Sequence, residues 1–294
     1  MTLSGLAERV ARGDGLSDRE IEAVLSAHDL VSIGMLGEEA RRRRHGDRIT
    51  FCRVFELDAA EESSAIPEAA GEVRIAGADS VAQACGIVRR VAACSAAPVS
   101  GFSLAALSAW ATTEGRTVPD ILGELRAAGL ELIAEGDLDE ALDARALREV
   151  SDAGLRIARV TVPVWPDDPA DAAGLLRRVR ELQAATGMIR ALAPLPRRPD
   201  PSRPSTGYDD AKRVAVARLA VDNVETIQVD WAVYGPKLAQ VALAFGADDL
   251  DRVPAADDRP ELGPRRAPAE EARRNIRAAG LVPIERDGRF EVRA

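Results

Sequence analysis

Carboxylates, arginines and a few hydroxyls are the groups that could do chemistry in this 294-residue chain, because its softer ligands are scarce. The two histidines, His28 and His45, both fall in an N-terminal helical region, so neither a His-based triad nor a zinc site is expected. Cys85 and Cys94 lie on one predicted helix nine residues apart, which at about 100° per residue puts them on opposite faces. Cys52 lies within a predicted strand. Three cysteines without close spacing fit free thiols in a reducing compartment. No metal site is expected, and acid–base work falls to carboxylates.

The stretch from Glu225 to Asp251, ETIQVDWAVYGPKLAQVALAFGADDLD, holds the densest set of candidates. Thr226 to Asp230 alternates as a half-buried strand does, and Trp231 to Gly235 carries the chain off the strand end. Pro236 opens a helix that Gly246 closes. Parallel-barrel enzymes build their sites where strands end, so Asp230, Trp231, Tyr234 and Lys237 are ligand-binding candidates. Trp231 and Tyr234 could stack on a ring or simply pack. Lys237, in a first helical turn that disfavours positive charge, calls for a carboxylate partner, either structural or from a ligand. Asp167 follows another strand and could meet a ligand, while Asp168 before Pro169 reads as a helix cap. Ser100 and Ser103 sit where the strand PVSGFS meets a helix, Ser103 fitting an N-cap. Arg197, Arg198 and Arg203 could clamp a carboxylate or phosphate, or be solvated loop charges.

Those candidates need elements to position them, and helices alternating with strands supply them. Three helices end in Ala-Gly-Leu before a strand, at Gly129, Gly154 and Gly280, each glycine giving a left-handed cap. This alternation predicts parallel βα units. Arg48–Phe55 and Glu72–Ala76 read as the first strands, LELIA and LRIARVTV as later ones. Pro194 to Pro204 cannot pair in a sheet and reads as a loop or lid. Ahead of the barrel, residues 1–47 form a helical segment with a capping box at Ser17 and Glu20. It ends in Arg41 to His45, a basic helix terminus that reads as a solvated helix end or, alternatively, a phosphate grip. Residues 48–294 form a partial βα barrel. Hydrophobic residues make up 46% but aromatics only 3%, which suits helices on strands. The net charge of −9 argues against nucleic acid or an anionic membrane as partner. No apolar run approaches the ~20 residues of a membrane span, and MTLSGLAERVARG lacks a signal-peptide core, so a cytoplasmic location is expected.

The block RLAVDNVETIQVDWAVYGPKLAQVALAFGADDLD resembles the radical S-adenosylmethionine (SAM) enzymes of the futalosine route to menaquinone, aminofutalosine synthase and dehypoxanthine futalosine cyclase, and the related subunit of deazaflavin synthase. The likeness continues through LLRRVRELQAATG, TVPDILGELRAAGL and IRAAGLVPIERD. It implies an α/β fold, an incomplete, TIM-barrel-like (β/α) barrel of the radical SAM type with additional N-terminal helices. Members carry CxxxCxxC after their first strand, where three thiolates hold a [4Fe–4S] cluster and leave one iron open to SAM. Here that motif is missing, and the family's glycine-rich turns are replaced by Ala134-Glu135-Gly136-Asp137 and Ala76-Gly77-Ala78. The resemblance and its departures imply a cluster-free, degenerate homologue with no [4Fe–4S] cofactor and no tight SAM binding. Such a chain would serve as an accessory partner, forming a homodimer or a complex with an active radical SAM homologue. The alternative is cluster-independent chemistry on a nucleoside or aromatic acid in the same cavity.

Overall fold

The computed structural model describes residues 3–60, 65–139, 142–256 and 267–293. Three helices come first: α1 (Leu3–Arg12), α2 (Asp18–Ser26) and α3 (Leu30–His45). The expected capping box at Ser17 and Glu20 is present, and the Asp29 side chain accepts from the Ser32 amide to start α3.

The strands β1 (Arg48–Asp58), β2 (Glu72–Ala76), β3 (Val99–Ser103), β4 (Leu132–Asp137), β5 (Arg156–Ile157), β6 (Val160–Thr161), β7 (Ala191–Ala193), β8 (Thr226–Asp230) and β9 (Asp249–Pro254) are all parallel. β9 pairs back onto β1 through Thr50 with Asp249 and Val54 with Pro254. The sheet therefore closes on itself, with β5 and β6 sharing one position. The expected incompleteness lies in the outer layer, since β1 passes to β2 with no helix among the described residues, and not in the sheet. A tenth strand, β10 (Val282–Arg286), pairs with the lower half of β1, below the stretch that β2 takes.

Helices α4 (Val81–Cys94), α5 (Leu104–Glu114), α6 (Val118–Ala128), α7 (Ala144–Asp152), α8 (Pro169–Thr186), α9 (Gly207–Ala220), α10 (Trp231–Leu243) and α11 (Pro268–Ala278) cover the barrel. Inward-facing Val, Leu and Ile of these helices meet the outward-facing residues of the strands in one continuous core. None of the helices is long and apolar enough to cross a membrane.

The three Ala-Gly-Leu junctions behave as expected, with φ of +110° at Gly129, +74° at Gly154 and +78° at Gly280. Replacing Gly154 with Val should lower stability by ~1 kcal/mol or more, because a β-branched residue resists that conformation. A urea midpoint equal to that of the parent chain would contradict the cap assignment.

Two local readings need correction. Residues 231–234 are already helical, and Gly235 (φ 71°, ψ 170°) kinks α10 before Pro236 restarts it. The basic end of α3 is not simply solvated: Arg41 is buried and donates to the Gly46 carbonyl at 2.7 Å. Arg43 donates to the Val10 carbonyl and Arg44 to that of Val224, at 2.7 and 2.6 Å. These guanidiniums donate to carbonyls at chain turns, that of Val10 also accepting from the Gly13 amide, and Arg44 ties α3 to the turn ahead of β8.

Candidate functional site

Strand residues alternate between the helical layer and the barrel interior, and here the interior positions are polar, most of them charged. β2 sends in Glu72 and Arg74, β8 Gln228 and Asp230, β9 Asp249 and Asp251, and the junction between β5 and β6 supplies Arg159; all are buried. They form one connected ionic lattice. Arg74 grips Asp251 with two hydrogen bonds of 3.0 Å and donates to Glu72 at 2.9 Å. Ser100 also donates to Glu72. Arg159 donates to Gln228 and to the Ala134 carbonyl, each at 2.7 Å, and reaches Asp251 at 3.4 Å. Deeper in, Arg286 holds both oxygens of Asp249 at 2.6 Å, and Gln228 donates to Asp249 at 2.8 Å.

Opposite charges this close dominate the titration of the buried groups. Burial alone would push Asp251 up, but Arg159, Arg74 and Arg197 outweigh it and hold its carboxyl well below the usual range. Glu72 follows the same pattern, burial opposing and Arg74 and Arg159 prevailing. Arg159 is lowered to about 10, first by burial and then by the neighbouring Arg74. Burial also pushes the Cys52 thiol far up, so it is a packed thiol and not a thiolate.

At the mouth, Arg197 reaches in from the proline-rich loop. Its guanidinium lies 2.9 Å from both Asp230 and Asp251 and 3.3 Å from Glu135. Tyr234 anchors that loop by donating to the Pro196 carbonyl at 2.7 Å. Between the loop and the strand ends lies a cleft of about 220 Å³, bordered by Gly77, Phe102, Ser103, Trp110, Arg198 and Arg252. That is below the ~300 Å³ at which small-molecule pockets usually begin. Phe102 and Arg252 both have positive φ, 61° and 57°, a costly conformation that concentrates at ligand sites and switch regions. The Nε of Arg252 is buried without a hydrogen-bond partner.

The structure brings several of the predicted residues together and disperses others. Arg197 and Asp230 meet at the mouth, Asp230 also capping α10 through the Ala232 and Val233 amides. Ser100 is in the lattice, and Ser103 caps α5, accepting from the Ala106 amide at 3.1 Å. Trp231 is 6% exposed and belongs to the core. Asp167 lies outside the lattice, exposed and paired with Arg203 at 2.8 Å. Lys237 is exposed and has no structural carboxylate partner among the described residues. Sequence reasoning missed Glu72, Arg74, Arg159, Asp249, Asp251 and Arg286. The signal was present as polar or charged residues two apart within strands, in EVR, QVD and DLD, which in a barrel points them inward.

Cluster ligands do not assemble. Cys52 is buried in β1, Cys85 is buried on α4 and Cys94 is exposed at the end of that helix. Among the described residues no group of three or more His, Cys, Asp and Glu side chains is arranged to hold a metal ion, and residues 59–71 contain no cysteine. The segment expected as a glycine-poor turn, Ala134 to Asp137, is part of β4. Its Glu135 pairs with Arg197 and Arg198.

No family model matches the chain. It is 25% identical to aminodeoxyfutalosine synthase of Streptomyces coelicolor, over 98% of this chain and 93% of that one. It is 31% identical to cyclic dehypoxanthine futalosine synthase of the same organism, over 40% of this chain and 31% of that one. The chain resembles the futalosine-pathway radical SAM enzymes. Its first alignment spans 359 positions against 294 residues here, so at least 65 positions of that relative have no counterpart in this chain. Among solved structures, methylornithine synthase superposes with a TM-score of 0.68 at 13% identity, covering 95% of this chain and 97% of that one. That identity supports the shared barrel alone.

Proposed function

We propose that this chain is a cluster-free relative of the futalosine-pathway radical SAM enzymes, acting as a cytoplasmic accessory partner in menaquinone biosynthesis and not as a radical enzyme. One observation carries the reading. Parallel barrels build their sites at the mouth above a filled interior, and here the mouth over the lattice of Glu72, Arg74, Arg159, Asp249, Asp251 and Arg286 leaves a cleft of only about 220 Å³. Arg197 closes the upper end of the lattice. In the family, SAM is anchored by the open iron through its amine and carboxylate. Without three converging thiolates, only adenine and ribose contacts remain against the cost of ordering a flexible ligand.

A partner role asks for a surface, and α3 offers one. Val31 and Met35, one turn apart and so neighbours on one face, are 72% and 66% exposed. The proposed complex is a homodimer or a pairing with an active radical SAM homologue, burying at least ~1,000 Å² in total. Co-expression with the host's futalosine-pathway radical SAM enzyme should give co-purification and a changed rate when this chain is present. A strictly monomeric chain that neither co-purifies nor alters that rate would defeat the partner role.

A second reading has its own support in the mouth cleft, where Phe102 and Arg252 are strained side by side with Trp110, Arg198 and Ser103. It is cluster-independent chemistry on a small aromatic acid or nucleoside, and it requires the Arg197 loop to lift.

A further inference from the structure

The barrel wall has a seam at its lower end, opposite the mouth. β4 pairs with β5 below and with β6 above, and β7 pairs with β6 at Val160 and Thr161. Among the described strands β5 pairs with β4 alone. Where β5 lacks a second neighbour, a cleft of about 830 Å³ opens, bordered by residues 156–158 on one side and 188–190 on the other. This volume lies within the range of pockets that enclose small organic ligands, and it is much larger than the cleft at the mouth.

The lining is mixed in a way that selects a ligand class. Leu147, Val150 and Leu155 border it but are themselves buried, so Met188 and Phe290, both half-buried, are the apolar side chains with surface to offer, while four arginines, Arg44, Arg156, Arg190 and Arg289, stand against the single carboxylate of Glu225. Two of the cations are already neutralised, Arg190 by Glu225 and Arg289 by Glu131, and His45 stands 3.5 Å from Asp248. Two are not. Arg44 donates to the backbone carbonyls of Asp222 and Val224 and has no carboxylate partner among the described residues. Arg156 is exposed and has no ion pair among them. Phe290 also borders the cleft, held at φ 67° with the Arg286 guanidinium 3.9 Å from its ring centre. A non-glycine residue kept in that region marks a place where the surroundings over-determine the backbone.

We propose that this seam binds a small organic carboxylate, its apolar body against Met188 and Phe290 and its charge facing Arg156 and Arg44. The site is separate from the barrel mouth and does not depend on the partner role. Calorimetric titration of the full chain with 2-naphthoate tests it, with neutral 2-naphthalenemethanol as the comparison and Arg156→Gln and Arg198→Gln as variants. Arg156 is exposed, so its replacement should leave the thermal midpoint unchanged. One saturable site is expected, weakened about tenfold or more by Arg156→Gln and unchanged by Arg198→Gln at the mouth, because a charge-assisted hydrogen bond is lost only in the first. The neutral alcohol should bind more weakly. Absence of saturation, equal binding of the alcohol, insensitivity to Arg156→Gln or loss with Arg198→Gln would each overturn the proposal.

Discussion

Replacing Asp251 with Ala is expected to lower the free energy of unfolding by about 3–5 kcal/mol, because it leaves buried guanidiniums without their common counter-charge. Asp251 accepts two bonds from Arg74 and one from Arg197, and Arg159 lies within 3.4 Å. The penalty comes from stranding these cations, which cannot shed their protons as a lysine could. The effect should depend on pH in one direction. The folded-state carboxyl titrates well below its ordinary value, so its contribution is fully present above the unfolded value of ~3.9 and is lost as pH falls through the folded one. Urea denaturation of both proteins should therefore show the full difference at neutral pH and a shrinking one in acid. Coincident curves at neutral pH would mean that the lattice contributes nothing to stability.

The elements written in local chemistry were legible. Glu72–Ala76 and Thr226–Asp230 appear as strands with the expected bounds, since β-branched residues at period two specify them. The helix starts at Ser17, Ser103 and Asp168 followed from capping rules alone. What was not legible depended on partners far away in sequence. LRIARVTV reads as one strand, yet it breaks into β5 and β6 at Ala158 and Arg159. The Arg159 side chain turns inward there to meet Gln228, which is 69 positions away. Lys237, in a first helical turn, stands exposed with no structural carboxylate among the described residues. For Trp231 the sequence leaves stacking and packing open, and the fold packs it in the core on the helical turn before Gly235. Arg197 was one of three loop arginines with equal standing in the sequence. Only the fold shows that it faces Asp230, Asp251 and Glu135 while Arg198 stays 84% exposed.

The proposed absence of a cluster carries the larger expected functional effect. With Cys52, Cys85 and Cys94 on separate faces of two elements, added SAM should show no calorimetric binding at micromolar concentration in the absence of iron. Binding there would instead point to an enzyme that uses SAM without radical chemistry. The most direct measurement is anaerobic reconstitution of the purified chain with iron and sulfide, followed by desalting, an absorption spectrum and an iron determination. A cluster-free relative stays colourless, with no band near 400 nm and no retained iron. A brown protein that keeps cluster-level iron and loses it when Cys52, Cys85 and Cys94 are changed to Ala would contradict this account.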